Sequence, residues 1–395
     1  MNRAEFFVYI EKYNKSDKYV LFDFVDSNEF FVFSSLYISN YDWEHLPTMI
    51  ELLNYNQKPL QEGVNYSISL NSLLSIQNQI AVVEDSLLIG FRIVLTLENT
   101  IIFGKAKSFS DDDRFFRHME DYSSFDLPKT NYRQYSVDKI IIRNVGQGSW
   151  NELESKGLKT LVFDFGTTYT TKKVDVYKLL GNRDIEYQKS SPTLILSHWD
   201  VDHYHFLLAF SNETIKSFPI FIYRSSIPNL TARKALGRFR ILNKKALFAL
   251  QANNPHPKKS STLLQKLPFY GRSDLLLFNG YRNRSRNKSG IGLVLRKINI
   301  SVIFSGDYDY LQISNYILPE LNYVCKHYLI VPHHGGNAGK FIYDSPPKPI
   351  LTEAIISVGP NIYNHPISKN VLELKKKGFK ILRTDYLNND YLINI

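Results

Sequence analysis

The chain has 395 residues, of which 44% are hydrophobic and 22% charged, and carries a formal charge of +10; this is the balance of a globular protein with room for two or three domains. No segment approaches the roughly 18 uninterrupted apolar residues of a membrane span, and the N-terminus lacks a signal-peptide pattern, so a cytoplasmic protein with no membrane partner is expected. The single cysteine, Cys325, excludes an internal disulfide and a thiolate metal cluster.

Residues 1–130 read as a smaller β-rich domain with a regulatory or partner-binding role. Strands are expected over 18–25, 29–38, 65–70 and 86–97, where β-branched and aromatic residues dominate, and a helix over 43–54. His45 and His118 are isolated, which favours structural or surface roles. Residues 108–136 are polar and poor in aliphatic side chains, so they read as a linker, with the domain boundary near 130.

From 131 to 395 the pattern becomes strand followed by loop. "DKIIIRNV" (138–145) precedes a GQG turn, and "KTLVFDFG" (159–166) is a second strand. A helical stretch around "VYKLL" (176–180) leads into "PTLILSHWD" (192–200). "NISVIFSGD" (299–307), "HYLIVPHHGG" (327–336) and "EAIISVG" (353–359) repeat the scheme. In each, an apolar strand delivers polar groups at its C-terminal end, where α/β sheets commonly bind ligands.

The densest such group is "SHWDVDHYH" (197–205), with three histidines and two aspartates in nine residues. Imidazole and carboxylate suit Zn²⁺, Mn²⁺ or Fe. Crowding His198, Asp200, Asp202 and His203 is costly unless a cation neutralises the carboxylates; the bland alternative is a solvated acidic turn. Other strand ends offer Asp164, Asp307, His333, His334 and His365. Trp199 and Val201 read as packing residues, and His205 as a packing or ligand-supporting one.

The ordered series "NVGQG", "VFDFG", "SHWDVDH", "FSGD", "VPHHGG" and "SVGPNIYNHP" resembles the metallo-β-lactamase fold. Within it, the series is similar to the soluble catalytic domain of ComEC-type DNA-uptake proteins. The resemblance covers about residues 138–395 and implies an α/β protein, an αβ/βα sandwich preceded by the β-rich domain. It implies a centre of one or two divalent ions (Zn, Mn or Mg). By motif, His198, Asp200, Asp202 and His203 would be ligands, Asp307 a bridging aspartate, and His334 the group completing the second ion's shell. Asp202 would also orient water. His365, as a ligand or as an acid, and His333 would serve the leaving oxygen. Ser149 stands where the subgroup usually has aspartate, and "YHFLL" (204–208) where glycines often follow. The intervening histidine is missing, since His256 lies in a basic loop-like stretch, so one metal site is expected to be weak. Aspartate at 200 points to the DNA-uptake subgroup and to a harder, oxygen-richer site.

Seventeen Lys/Arg and one acid, Asp274, fall within residues 221–300, a local charge of +16 that leaves −6 for the rest of the chain. Such a block is the footprint of a polyanion-binding surface, with a solvated basic face as the alternative. A basic helix over 232–250 would carry Arg233, Lys234, Arg238 and Arg240; a loop over 281–290 would carry Arg282, Arg284, Arg286 and Lys288. Tyr270, Phe239 and Tyr281 would stack on bases or join the core. The expected activity is that of a metal-dependent phosphodiesterase or nuclease using hydroxide formed from metal-activated water, with nucleic acid, DNA ahead of RNA, as substrate. Two alternatives stay open: a hydrolase of small phosphodiesters or lactones, and a metal- and nucleic-acid-binding module without turnover.

Overall fold

The computed structural model describes residues 5–38, 41–42, 45–97, 100–104, 136–252, 263–269, 272–281, 286–321, 326–342, 350–359, 365–387 and 389–395. Arg282, Arg284, His118, His256, Tyr270, Cys325 and nearly all of the expected linker lie outside these. The chain forms two compact units: Met1–Ser123 with Tyr169–Lys178 and Ile227–Arg238, and Ser124–Thr168 with Leu179–Ser226 and Phe239–Ile395. No described helix is long and apolar enough to cross a membrane.

In the first unit, β1 (Glu5–Asn14), β2 (Tyr19–Phe24), β3 (Met49–Leu53), β4 (Asn65–Ser69), β5 (Ile80–Val82) and β6 (Ile89–Val94) form one sheet in the order β4-β1-β2-β3-β6-β5. Phe22, Phe24, Phe30, Phe33 and Phe91 fill its core, largely in edge-on or tilted pairs such as Phe33–Phe91 at 5.4 Å, the geometry ring quadrupoles favour.

Two expectations fail here. The strand expected over 29–38 is a helix, Ser27–Ser35. Asp26 caps it, accepting from the Asn28 and Glu29 amides at 2.8 and 3.2 Å, so the "DSNE" start signal outweighs the β-propensity of the phenylalanines. The helix expected over 43–54 gives way to β3, which pairs antiparallel with β2 and parallel with β6; tertiary pairing overrides a helix-like spacing.

The start of the helix Leu230–Asn243 belongs to this unit. The Thr231 amide donates to buried Asp23 at 2.8 Å, and Asn229 donates to buried Glu11 at 3.2 Å. The helix expected to run to 250 stops at Asn243, whose side-chain amide donates to the Phe218 carbonyl at 2.7 Å. The chain then enters a strand.

Among its described residues, the second unit holds two seven-stranded sheets. β7 (Lys139–Ile142), β8 (Trp150–Ser155), β9 (Leu158–Phe165), β10 (Thr193–Ile195), β11 (Phe221–Arg224) and β12 (Leu247–Leu250) form one, closed by the last strand of the chain. β13 (Leu264–Pro268), β14 (Leu275–Gly280), β15 (Ile291–Arg296), β16 (Ile300–Phe304), β17 (Lys326–Ile330), β18 (Ile350–Ile356) and β19 (Lys380–Arg383) form the other in sequence order; β20 (Tyr391–Asn394) joins β7.

Both sheets follow one plan. β20, β7, β8 and β9 are antiparallel neighbours, and β10, β11 and β12 continue in parallel. β13 to β16 are antiparallel, and β17, β18 and β19 continue in parallel. The switch therefore falls at β9/β10 and at β16/β17.

The sheets share a core that includes Ile140, Phe163, Ile195, Leu293, Phe304 and Ile330, each burial worth about 1.5–3 kcal/mol. Outer helices bury Ile313, Ile317, Leu321 and Leu374 on the second sheet. On the first sheet, Tyr187, Phe206, Phe210 and Phe218 pack with Trp150, Phe165 and Phe221. The layers run helix, sheet, sheet, helix, which is the expected αβ/βα sandwich.

Candidate metal centre

β9 and β10 end side by side. Asp164, at the end of β9, has φ 56°, a left-handed conformation that aspartate tolerates better than most residues. Its buried carboxylate accepts from the Ser197 amide at 2.7 Å, the Ser197 hydroxyl at 3.0 Å and Nδ1 of His203 at 2.8 Å. The Ser197 proton is thereby committed, so Nδ1 of His198, 2.9 Å from that hydroxyl, is its donor.

Past Asp200 the signature forms a helical turn, Val201–Tyr204. The end of β9 lies directly against it: a Cβ on Gly166 would stand 1.9 Å from the Asp202 carbonyl oxygen, so only glycine fits. The Ser149 amide donates to that same carbonyl at 2.9 Å. Trp199 and Val201 are buried, and the Trp199 indole donates to the Arg224 carbonyl at 2.7 Å.

The second sheet completes the group. Asp307 follows β16 through Gly306, at φ +52°. His333 and His334 follow β17, both left-handed at φ 52° and 53°. Nδ1 of His334 donates to the Ser357 carbonyl beyond β18 at 2.7 Å, and the His333 amide donates to Asp307 at 2.9 Å.

Three rings are thus tied through Nδ1, and Nε2 of His198, His203 and His334 is buried with no hydrogen-bond partner among the described residues. His198 Nε2 is 3.3 Å from Asp200 and 3.6 Å from Asp307; His203 Nε2 is 3.5 Å from Asp307; His334 Nε2 is 3.5 Å from Asp202. Ligands held at about 2.0–2.2 Å from a tetrahedral ion stand roughly 3.3–3.6 Å apart. Among the described residues, two sets of donor atoms each lie within 4.8 Å of one another, His198–His203–Asp307 and Asp202–His203–His334. Imidazoles fixed by carboxylate and carbonyl partners, with bare nitrogens facing carboxylates, fit a divalent ion.

Electrostatics agree. Burial opposes charge on His203, but Asp164 and Asp307 outweigh it and hold its pKa well above 6.5. Burial likewise opposes ionisation of Asp307, yet His333, His203 and His198 keep its pKa well below 3.8. Burial pushes the His205 pKa down to about 4, against the opposing pull of the Thr167 and Thr168 backbone, and the residue stands outside both donor groups.

The remaining predicted residues are placed as follows. Asp200 lies beside His198 but in neither compact donor group. His333 Nδ1 is 3.2 Å from Asp307, with the side chain partly exposed. His365 lies against the HHGG turn, where a Cβ on Gly336 would meet its Nε2 at 2.6 Å. Arg286 reaches into the centre: one nitrogen is 2.8 Å from Asp200, another donates to the Trp199 carbonyl at 2.7 Å. Lys288 pairs with Asp309 at 2.6 Å. Arg233 donates to the Val25 carbonyl at 2.8 Å and Lys234 to that of Leu46, both within the first unit. Arg238 is half-buried and Arg240 exposed. Phe239 is fully buried against Phe221 at 4.8 Å, so it is a core residue and not a base-stacking one.

Ser197, Ser357 and the orienting role of Asp164 escaped the sequence reading. Ser197 adjoins the signature, but nothing local marks its hydroxyl as a relay to a carboxylate thirty-three residues earlier.

No family model matches the chain, and no curated protein does. Similar solved structures include the metallo-β-lactamase fold protein YhfI of Bacillus subtilis, at 11% identity and TM-score 0.37 over 66% of this chain and 100% of that one. The short form of human tRNase Z is similar at 9% identity and TM-score 0.35, over 65% and 99%. A long-form RNase Z from yeast reaches 9% identity and TM-score 0.29, over 92% and 59%.

Proposed function

We propose that the protein is a metallo-β-lactamase-fold hydrolase that cleaves phosphodiester bonds in nucleic acid, DNA ahead of RNA. The observation that carries this is the convergence of three imidazole nitrogens, each without a hydrogen-bond partner among the described residues, with Asp200, Asp202 and Asp307 at adjoining strand ends. Asp202, His203 and His334 would hold one ion, and His198, Asp200 and Asp307 lie where a second would be held. A bound divalent ion lowers the pKa of water from about 15.7 to about 7 and polarises phosphoryl oxygens. Asp202 and Asp307 orient the attacking water and take its proton. His333, partly exposed beside Asp307, gives a proton to the leaving oxygen, with His365 as the second candidate.

The charge of +16 over residues 221–300 supports a polyanionic substrate. Arg240, Lys244 and Lys245 are exposed and suit contacts with a phosphodiester backbone. The first unit serves regulation or partner binding in this reading, and the ordered motifs support the likeness to the DNA-uptake catalytic domain. The test incubates plasmid, single-stranded DNA and RNA with the protein and Mn²⁺, Mg²⁺ or Zn²⁺. Metal-loaded protein that cleaves none of them, and matches Asp202→Ala in doing so, refutes the proposal. Cleavage of small diesters or lactones alone supports the small-molecule hydrolase instead.

A further inference from the structure

The two donor groups share an atom. Nδ1 of His203 is committed to Asp164, so both groups need its Nε2, and one ring nitrogen has one lone pair to give. Only one group can be complete at a time. With His203 serving alongside Asp202 and His334, a second ion keeps His198 and Asp307 and needs a third donor. Asp200 is the neighbour able to supply it, with an oxygen 3.3 Å from His198 Nε2.

That carboxylate already faces a cation. Its other oxygen is 2.8 Å from the Arg286 guanidinium, whose side chain is only 18% exposed. A second guanidinium nitrogen donates to the Trp199 carbonyl at 2.7 Å, which fixes the group in place. An arginine guanidinium keeps its charge at neutral pH. It therefore forms an ion pair with an Asp200 oxygen, which meets no hydrogen-bond donor among the described residues, and sets a fixed positive charge beside the place of a second dication.

We propose that Arg286 withholds Asp200 from the metal centre, so that the protein has one tight ion site, on Asp202, His203 and His334, and a second at least tenfold weaker. This rests on the proposed function only in taking a divalent ion as ligand.

The test strips full-length protein with chelator and titrates Mn²⁺ or Zn²⁺ by calorimetry, with elemental analysis and circular dichroism as checks. Wild type takes up one ion tightly and the second at least tenfold more weakly. Arg286→Met tightens the second at least tenfold, whereas Arg286→Lys, which keeps the charge, leaves it weak. Asp200→Asn changes the tight affinity less than threefold and abolishes the second. Equal uptake of two ions by wild type, an unchanged second affinity in a folded Arg286→Met, or a tenfold loss of the tight ion in Asp200→Asn overturns the proposal. Should Arg286→Met not fold, Arg286→Gln, which removes the charge and keeps a polar side chain, is read by the same tightening of the second ion. Hydrolysis is not read, so an inactive protein with this stoichiometry would count against the hydrolase reading and leave this inference standing.

Discussion

Asp164→Asn tests whether the centre depends on the orientation of one ring. The wild-type carboxylate accepts three bonds, at 2.7, 3.0 and 2.8 Å. Asparagine keeps the shape and can still accept from the Ser197 amide. Its NH₂ group then faces the Ser197 hydroxyl and His203 Nδ1, both of which donated before. His203 must accept at Nδ1 and move its proton to Nε2, the atom whose lone pair a metal needs. Losing such a partner typically costs 10–100-fold in metal affinity, or about 1.4–2.7 kcal/mol. Replacing two charge-assisted bonds by neutral ones removes about 2–4 kcal/mol more from the fold itself. Calorimetric titration of chelator-stripped variant with Mn²⁺ or Zn²⁺ reads the first effect, and urea unfolding with EDTA reads the second. The raised pKa of His203 stabilises the metal-free wild type fully below pH 6.5, and that contribution fades as pH climbs through the raised value; the variant loses much of it. A folded Asp164→Asn protein with wild-type metal affinity would refute the reasoning.

Other outcomes follow from the same geometry. Gly166→Ala drives a methyl group into the Asp202 carbonyl, costing at least about 1–3 kcal/mol; thermal unfolding should drop and metal uptake fail. His205 is neutral when folded, with its pKa pushed down to about 4 by burial, so stability is full above about pH 6.5 and falls by up to about 3 kcal/mol as pH drops towards 4. His205→Gln should flatten that acid limb in urea titrations at pH 7 and pH 4.5. Adding metal at 100 times its Kd should stabilise the fold by about 2.7 kcal/mol, a gain that EDTA reverses in the same unfolding assay.

The strands of the sandwich were legible because "KIII", "LVFDF" and "ISVIF" are apolar, β-branched runs buried on both faces. The metal-capable residues were legible too, since each follows such a run. Their hydrogen-bond roles were not. Which nitrogen of His203 faces inward is set by Asp164, and which nitrogen of His334 by Ser357, partners 39 and 23 residues away. The helix at Ser27–Ser35 was missed because four aromatic and β-branched residues masked a four-residue start signal. Arg286 read as one more cation in a basic loop; only folding brings it 87 residues back along the chain to Trp199.

The shared plan of the two sheets explains why the motifs occur in this order. Where antiparallel pairing gives way to parallel pairing, the chain leaves one strand end and returns through a crossover, opening a gap beyond the carboxyl ends. β9/β10 and β16/β17 are those places, and Asp164, His198, Asp307 and His334 all follow from them. Within each sheet, a neighbouring strand end orients the donor: β9 supplies Asp164 to His203, and the residue after β18 supplies its carbonyl to His334. Ligand direction is therefore set by sheet register, since a one-residue slip of β9 against β10 would turn Asp164 to the opposite face. Gly166 and Ser149, each touching the Asp202 carbonyl, fix the signature turn from the same side. Replacing a donor should remove an ion, whereas replacing these supports should weaken the ion and the sandwich together. Asp164→Asn and Gly166→Ala must therefore lose metal affinity and stability in step, while His334→Ala, whose ring leaves only a carbonyl behind, should lose metal with the smaller loss of metal-free stability.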